Sequence, residues 1–314
     1  MAKVASIGEC MVELSPRPGG LFGLGFGGDT LNTAVYLARL GVAVDYLTAL
    51  GDDRYSERML AAWRAEGIGT GLVPRLPGRL PGLYIIEVGE GGERRFAYWR
   101  DRAPARELFT LPQAHDILSA LEGYDIVYLS GISLSLYDTE GRRALLAGLD
   151  RAREVGARVA FDCNYRARQW ANARAARAAV DAMLERVDIA LTSFDDERAI
   201  YGDPDAAAAA GRLRRAGVGE VVVKQGEAGC LVLAAAGAEP QAVPATPTGP
   251  VVDTTAAGDS FNAAYLAARL AGRPPAEAAQ AGHRLAAEVV RHPGAIIPRE
   301  AMPPELPAPA EQRP

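Results

Sequence analysis

Short apolar runs that each hand over to an amphipathic helix are the feature of this chain that most restricts its fold. "VASIG", "VAVDYLTAL", "DIVYLSG", "ARVAFD", "DIALTS" and "EVVVKQG" are largely apolar, as strands are when both faces of their sheet are covered. Between them a helical period returns over 29–40, 54–66, 139–155, 173–186, 206–216 and 258–271. A further helix starts at the proline pair of "PPAEAAQAGHRLAAEVVR". Strand and helix in turn predict an α/β fold with a doubly wound, mostly parallel sheet. At 314 residues and 49% hydrophobic content the chain has the material for such a core.

Two segments break the rhythm. "CMVELSP" and "GLYIIEVGEGGERRFAYWR" alternate apolar and polar residues, the second around a Gly-Glu-Gly-Gly turn, which predicts a hairpin with one solvated face. The expected architecture is therefore one domain over 1–302 carrying a small antiparallel β lid from about 10–18 and 70–108. The tail "PPELPAPAEQRP", 303–314, is proline-rich and expected to be disordered.

A net charge of −5 gives no footing for nucleic acid or an anionic membrane, so neither is an expected partner. The three cysteines, Cys10, Cys163 and Cys230, lie too far apart for a zinc motif and too few for a disulfide framework. The first residues lack the apolar run of a signal peptide, and no stretch approaches the length of a membrane span; a soluble, cytoplasmic protein is expected. Positive charge is nearly all arginine, with Lys3 and Lys224 the only lysines.

The segment "VVDTTAAGDSFNAAYLAARL" places Ala256, Ala257 and Gly258 where a helix would start. No side chain larger than a methyl blocks an anion from the free amides of that first turn. Asp259 stands beside them, placed to take a proton from a hydroxyl that attacks a bound phosphate. The helix dipole would lower its pKa, making it a base that works by geometry; an ordinary first-turn acid would look the same. In "GFGGDTLNTAVYLARLG", Gly27 and Gly28 allow close backbone approach, and Asn32 falls on the same helix face as Gly28. These residues suit a polyhydroxylated ligand, or simply a tight turn before a helix. Gly23 to Gly28 also satisfies the dinucleotide fingerprint, but no buried strand precedes it and no acid ends a strand about 20 residues on. No P-loop is present.

As a pair, "GGDTLNTA" and "DTTAAGDSFNAAYLA" resemble the two signatures of the ribokinase-like (PfkB) carbohydrate kinases, and the resemblance covers nearly the whole chain. It implies ATP and Mg²⁺ as cofactors, Asp259 as catalytic base, and Ala256, Ala257 and Gly258 as the anion hole for the transferring phosphoryl group. The family pattern has glycine where Ala256 stands. Lys224 and Gly226, in the turn of "VVVKQGEAGCLVL", become ATP contacts, and His283 falls where the family lines the adenine pocket. In "LTSFDDERAI", Ser193 replaces the family's asparagine in the nucleotide site, while Asp196 and the adjacent Glu197 become Mg²⁺ residues acting through water. Asp253 and Thr255 match positions that hold a monovalent cation, K⁺ here. Lids of the family often pair between subunits, which implies a homo-oligomer.

Within that family "PGLYIIE", "RRFAYWRDRAPAR", "FDCNYRARQW" and "GECMVELS" resemble the branch that phosphorylates 2-keto-3-deoxygluconate. An acidic protein binds a carboxylate best with guanidinium forks. Arg100 and Arg166, on lid and strand-end loops, are the candidates for that carboxylate, whereas Arg102 and Arg106 read as solvated. Tyr84 and Tyr98 would hydrogen-bond the carbonyl and hydroxyls. The alternatives are a fructokinase or ribokinase, and a catalytically silent nucleotide-binding regulator.

Overall fold

The computed structural model describes residues 2–88, 94–234, 237–304 and 306. The chain opens with β1 (Lys3–Ile7), β2 (Met11–Arg17), β3 (Leu21–Gly27) and α1 (Asp29–Arg39). It continues through β4 (Ala43–Leu47), β5 (Leu50–Gly51), α2 (Arg54–Ala65), β6 (Arg75–Leu76), β7 (Leu83–Val88) and β8 (Arg94–Trp99). Then follow α3 (Ala114–Ala120), β9 (Ile126–Ser130), α4 (Gly131–Leu136), α5 (Thr139–Glu154), β10 (Arg158–Asp162) and α6 (Ala173–Leu184). The last part holds β11 (Ile189–Ser193), α7 (Phe194–Tyr201), α8 (Ala206–Arg215), β12 (Glu220–Lys224), β13 (Cys230–Leu233), β14 (Gln241–Val243), α9 (Ala257–Leu270) and α10 (Pro275–Val289).

The large sheet has the order β14-β13-β12-β11-β10-β9-β1-β4, parallel from β12 to β4, with β13 and β14 antiparallel at one edge. Successive strand residues serve opposite faces. Val4, Tyr128, Ala160, Leu191 and Val222 pack with Leu31, Trp63, Phe261 and Leu285 of α1, α2, α9 and α10. Ala5, Val127, Val159, Ala190 and Val221 pack with Leu145, Val180 and Leu213 of α5, α6 and α8. Both faces are thus dry, which is why these strands read as unbroken apolar runs. The chain leaves β1 for β4 on one side and returns to β9 on the other. The order reverses there, and open α/β sheets take ligands at the carboxyl ends beside such a reversal.

The second sheet corrects the expected lid in three respects. Its order is β3-β2-β7-β8, so Leu21–Gly27, taken as a turn, is a strand paired with β2 along its whole length. The pairing of β2 with β7 is parallel, and the other two are antiparallel. Finally, β6 belongs to a separate two-stranded pairing with β5. Of the glycines in the apparent dinucleotide fingerprint, Gly23, Gly25 and Gly27 lie in β3 and Gly28 precedes α1, so the run is an edge strand and not a turn between a buried strand and a helix. Helices α3, α4 and α7 had no counterpart in the sequence reading. The Gly-Glu-Gly-Gly turn, 89–92, and tail residues 305 and 307–314 lie outside the described residues. No helix among the described residues is long and apolar enough to cross a membrane.

Candidate active site

Helices α5, α6 and α8 begin under side-chain caps: Asp138 accepts from Gly141 N–H at 2.8 Å, Asn172 from Ala175 at 2.9 Å and Asp205 from Ala208 at 2.7 Å. Helices α1 and α9 begin with no such cap, at Gly28 and Ala256. Both starts line one cavity of about 1230 Å³ at the carboxyl ends of the parallel strands. A drug-sized ligand fills roughly 300–1,000 Å³, so this space accommodates two ligands side by side.

Asp259 lies in the first turn of α9, and its Oδ2 accepts from Asn32 Nδ2 at 2.8 Å across the cavity floor. The expected lowering of its pKa is overturned. Burial, with the negative charge of Asp29 next in weight, pushes the carboxyl up from 3.8 to about 7, against the pull of Asn32 and Lys224. The helix dipole is outweighed because three carboxylates, Asp29, Asp162 and Asp259, share one poorly hydrated pocket. A carboxyl raised to about 7 is better suited to accept a hydroxyl proton near neutral pH than geometry alone would make it. Asn32 Oδ1 is buried and has no hydrogen-bond partner among the described residues, leaving an acceptor for a ligand hydroxyl.

Ala256 adopts φ +60°, ψ 15°, in the left-handed region. A glycine there would be free of strain, which gives the family's preference a physical reason; alanine costs about 1 kcal/mol. Ala256→Gly is expected to raise the unfolding free energy by about that amount with turnover retained. Urea denaturation of the two proteins checks this, and a destabilised glycine variant would refute it.

Lys224 ends β12 and donates to Asp162 Oδ2 and Asn262 Oδ1, each at 2.9 Å. A methyl added at Gly258 would sit 3.5 Å from its ammonium, so the amine stands over the uncapped turn of α9. Gly226 follows in a turn at φ +58°, also on the cavity wall. His283 is 7% exposed, its ring edge-on to Phe261 with centroids 4.9 Å apart. Burial holds its pKa below 6.5, so it presents an uncharged face to the cavity.

Gly28 does allow a close approach, but to the protein itself: a Cβ there would lie 2.1 Å from the Glu9 carbonyl oxygen. Gly27 makes room in the same way for Tyr84, whose hydroxyl donates to Glu13. Tyr84 and Tyr98 lie 5.9 Å apart, centroid to centroid, on the underside of the second sheet. Arg100 and Arg166 line the cavity but do not converge as one fork. Arg100 is buried against Glu9, and Arg166 reaches Asp196 at 3.3 Å.

Two metal expectations change. Ser193 caps α7 and donates to Asp196 at 2.7 Å, which keeps Asp196 on the cavity wall. Glu197 is instead 1% exposed, outside the cavity lining, and bound to Thr192 and Arg212, so it holds α7 and cannot reach a ligand. Asp253 also lies outside the lining; one oxygen accepts from Thr255 N–H and Oγ1 at 2.9 and 2.7 Å, the other from Gly294 N–H at 2.7 Å. It clamps the approach to α9.

The sequence reading passed over Glu9, Asp29, Asp162 and Asn164. Asn164 donates to Asp29 at 2.7 Å from a backbone at φ +33°. A signal for Asp162 was present: a carboxylate closing the apolar run "RVAFD" stands at a ligand-binding strand end.

A buried carboxylate, an uncapped helix start and a lysine gather at the reversal of a doubly wound sheet, an arrangement suited to moving phosphoryl groups to hydroxyls. Residues 1–302 match the family model described as pfkB family carbohydrate kinase, and the chain belongs to that family. It is 48% identical over 307 residues to 2-dehydro-3-deoxygluconokinase of Escherichia coli (strain K12), covering 96% of this chain and 99% of that one. Identity to the enzyme of the same name from Haemophilus influenzae is 38% over 306 residues, covering 96% and 98%. Among solved structures, aminoimidazole riboside kinase from Salmonella enterica, complexed with aminoimidazole riboside and an ATP analog, superposes with TM-score 0.78 at 25% identity over 97% of each chain.

Proposed function

We propose that this protein transfers the γ-phosphoryl group of ATP to the C6 hydroxyl of 2-keto-3-deoxygluconate (2-dehydro-3-deoxygluconate), giving 2-keto-3-deoxy-6-phosphogluconate. One observation carries the chemistry: the Asp259–Asn32 pair meets the uncapped start of α9 inside a two-ligand cavity. The near full-length similarity to kinases named for this sugar acid supports the acceptor.

In this reading Asp259 takes the C6 hydroxyl proton. The amides of Gly258 and Asp259, within the Ala256–Asp259 turn, and the Lys224 ammonium stabilise charge developing on the phosphoryl oxygens. Gly28, Asn32, Tyr84, Tyr98, Arg100 and Arg166 form the sugar side. Ser193, Gly226 and His283 form the nucleotide side. Asp162 and Asp196 both line the cavity, and burial together with the charge of Asp162 raises the Asp196 pKa, so this pair of carboxylates would suit a divalent cation. Bound Mg²⁺ would neutralise the phosphate oxygens during transfer. In this reading the reaction belongs to the cytoplasm. Leu21, Phe22 and Leu24 on edge strand β3 and Trp99 on edge strand β8 are exposed apolar residues, which supports a homo-oligomer through this sheet acting as the lid.

The test is ADP release from MgATP with 2-keto-3-deoxygluconate, fructose and ribose in parallel. The sugar acid is expected to lead in kcat/KM by about 100-fold or more, on the order of two charge-assisted hydrogen bonds. A lead for fructose or ribose would make the protein a neutral-sugar kinase, and no turnover with any acceptor would favour a silent regulator.

A further inference from the structure

Three arginines line the cavity near the second sheet: Arg100, Arg166 and Arg168. Two of them already hold a carboxylate, since Arg100 is paired with Glu9 and Arg166 with Asp196. An arginine whose charge is matched by a neighbouring acid still donates hydrogen bonds but exerts little net field on an incoming anion. Arg168 differs. Among the described residues no acid pairs with it; its guanidinium carbon lies 4.9 Å from the Tyr98 ring centroid, and Nη1 donates to the Phe96 carbonyl at 3.4 Å.

Those two contacts orient the guanidinium. The ring face holds the plane of the group, and the Phe96 carbonyl occupies one corner. The Nε–Nη2 edge is left, and that edge is one of the two donor pairs that match a carboxylate with two parallel hydrogen bonds. The turn that carries it, Ala167–Gln169, follows β10 directly, and Gln169 is fixed there by Ser135 Oγ at 2.7 Å. Arg168 therefore comes from the large sheet while both of its contacts come from β8, so it stands at the seam where the two sheets face the same cavity.

We propose that Arg168 is the specificity-determining residue that recognises the carboxylate of the acceptor, with Arg100 and Arg166 serving its hydroxyl and carbonyl oxygens. The assignment rests on the sugar-acid reading above. It also gives a protein of net charge −5 an unmatched cation with which to draw an anionic sugar into a cavity that contains Asp29, Asp162, Asp196 and Asp259.

The test compares 2-keto-3-deoxygluconate with its methyl ester, which keeps every hydroxyl and removes the charge, for wild type, Arg168→Met and Arg168→Lys. Arg168→Met is expected to lower the acid-to-ester ratio of kcat/KM by about 30-fold, chiefly through KM for the acid. Arg168→Lys, which keeps the charge and loses the fork, is expected to fall between the two. Equal losses on acid and ester would overturn the assignment and make Arg168 a tie between the sheets; so would an unchanged ratio. A wild type that does not prefer the acid to its ester would instead bring down the sugar-acid reading, and the role of Arg168 with it.

Discussion

Asp259→Asn is expected to lower kcat by about 10³-fold, the usual worth of a positioned general base, while KM for the acceptor stays within a few-fold of wild type. Asparagine keeps the size of the side chain and an oxygen for Asn32, so the cavity is preserved and only the proton acceptor is lost. The wild-type carboxyl, raised to about 7 by burial and by Asp29, makes two further statements. First, kcat/KM rises about tenfold per pH unit below 7 and levels off above it; a flat profile from pH 5.5 to 8 would remove Asp259 as the base. Second, folding stability depends on the same group. Its pKa goes up from 3.8 on folding, so the folded state binds the extra proton, and this contribution to stability is lost as pH rises from about 4 through about 7. Asp259→Asn is thus more stable than wild type at pH 8, with the gap narrowing toward pH 5. In the proposed reading the protein keeps a destabilising charge where the reaction needs it.

Arg100→Leu is expected to cost about 3–5 kcal/mol of unfolding free energy, because it strands a charge in the interior. Glu9 is 3% exposed and Arg100 9%, and burial already raises the Glu9 pKa even with Arg100 beside it. Without the guanidinium, Glu9 must take up a proton or draw in water. The double variant Glu9→Gln, Arg100→Gln replaces the ion pair with two amides of similar size and is expected to recover most of that loss. Urea unfolding of the three proteins decides it: a single variant within 1 kcal/mol of wild type would mean that the pair is no structural element. The same experiment separates two roles that a kinetic measurement alone would merge, since in the proposed reading loss of Arg100 would lower activity both by removing a substrate contact and by loosening its surroundings.

The parallel sheet was legible because each strand is buried on both faces and each long helix has a single apolar face, so periodicity and burial agree. Strand β3 was hidden by its composition. "LFGLGFG" is nearly half glycine and looks like a turn, yet two of its features have structural causes: Gly27 yields to the Tyr84 hydroxyl, and the exposed Leu21, Phe22 and Leu24 reflect an edge strand. Asp259, Asn32 and Lys224 could be found because each sits at a start or end of an element that local pattern defines. Glu9 and Asn164 could not, since their importance comes from neighbours more than 90 residues away in sequence, Arg100 and Asp29. The direction of the Asp259 pKa was missed for the same reason: the dipole is local and visible, whereas the crowding carboxylates arrive from α1 and β10.

The clamp at Asp253 ties the start of α9 to a distant part of the chain. One carboxylate holds the Thr255 amide just before α9 and the Gly294 amide beyond α10. The 294–297 segment is in turn fastened to α1, where Tyr36 donates to the Ala295 carbonyl at 2.7 Å and Arg39 to that of Ile297 at 2.7 Å. Left-handed Ala256, at the start of α9, is thereby locked by three segments far apart in sequence. Fraying of 294–297 would let Ala256 relax toward an ordinary backbone conformation and undo that start, while the eight strands of the large sheet stay paired. In the proposed reading activity would therefore fail well before the fold does, as a local opening that a global unfolding probe would not register.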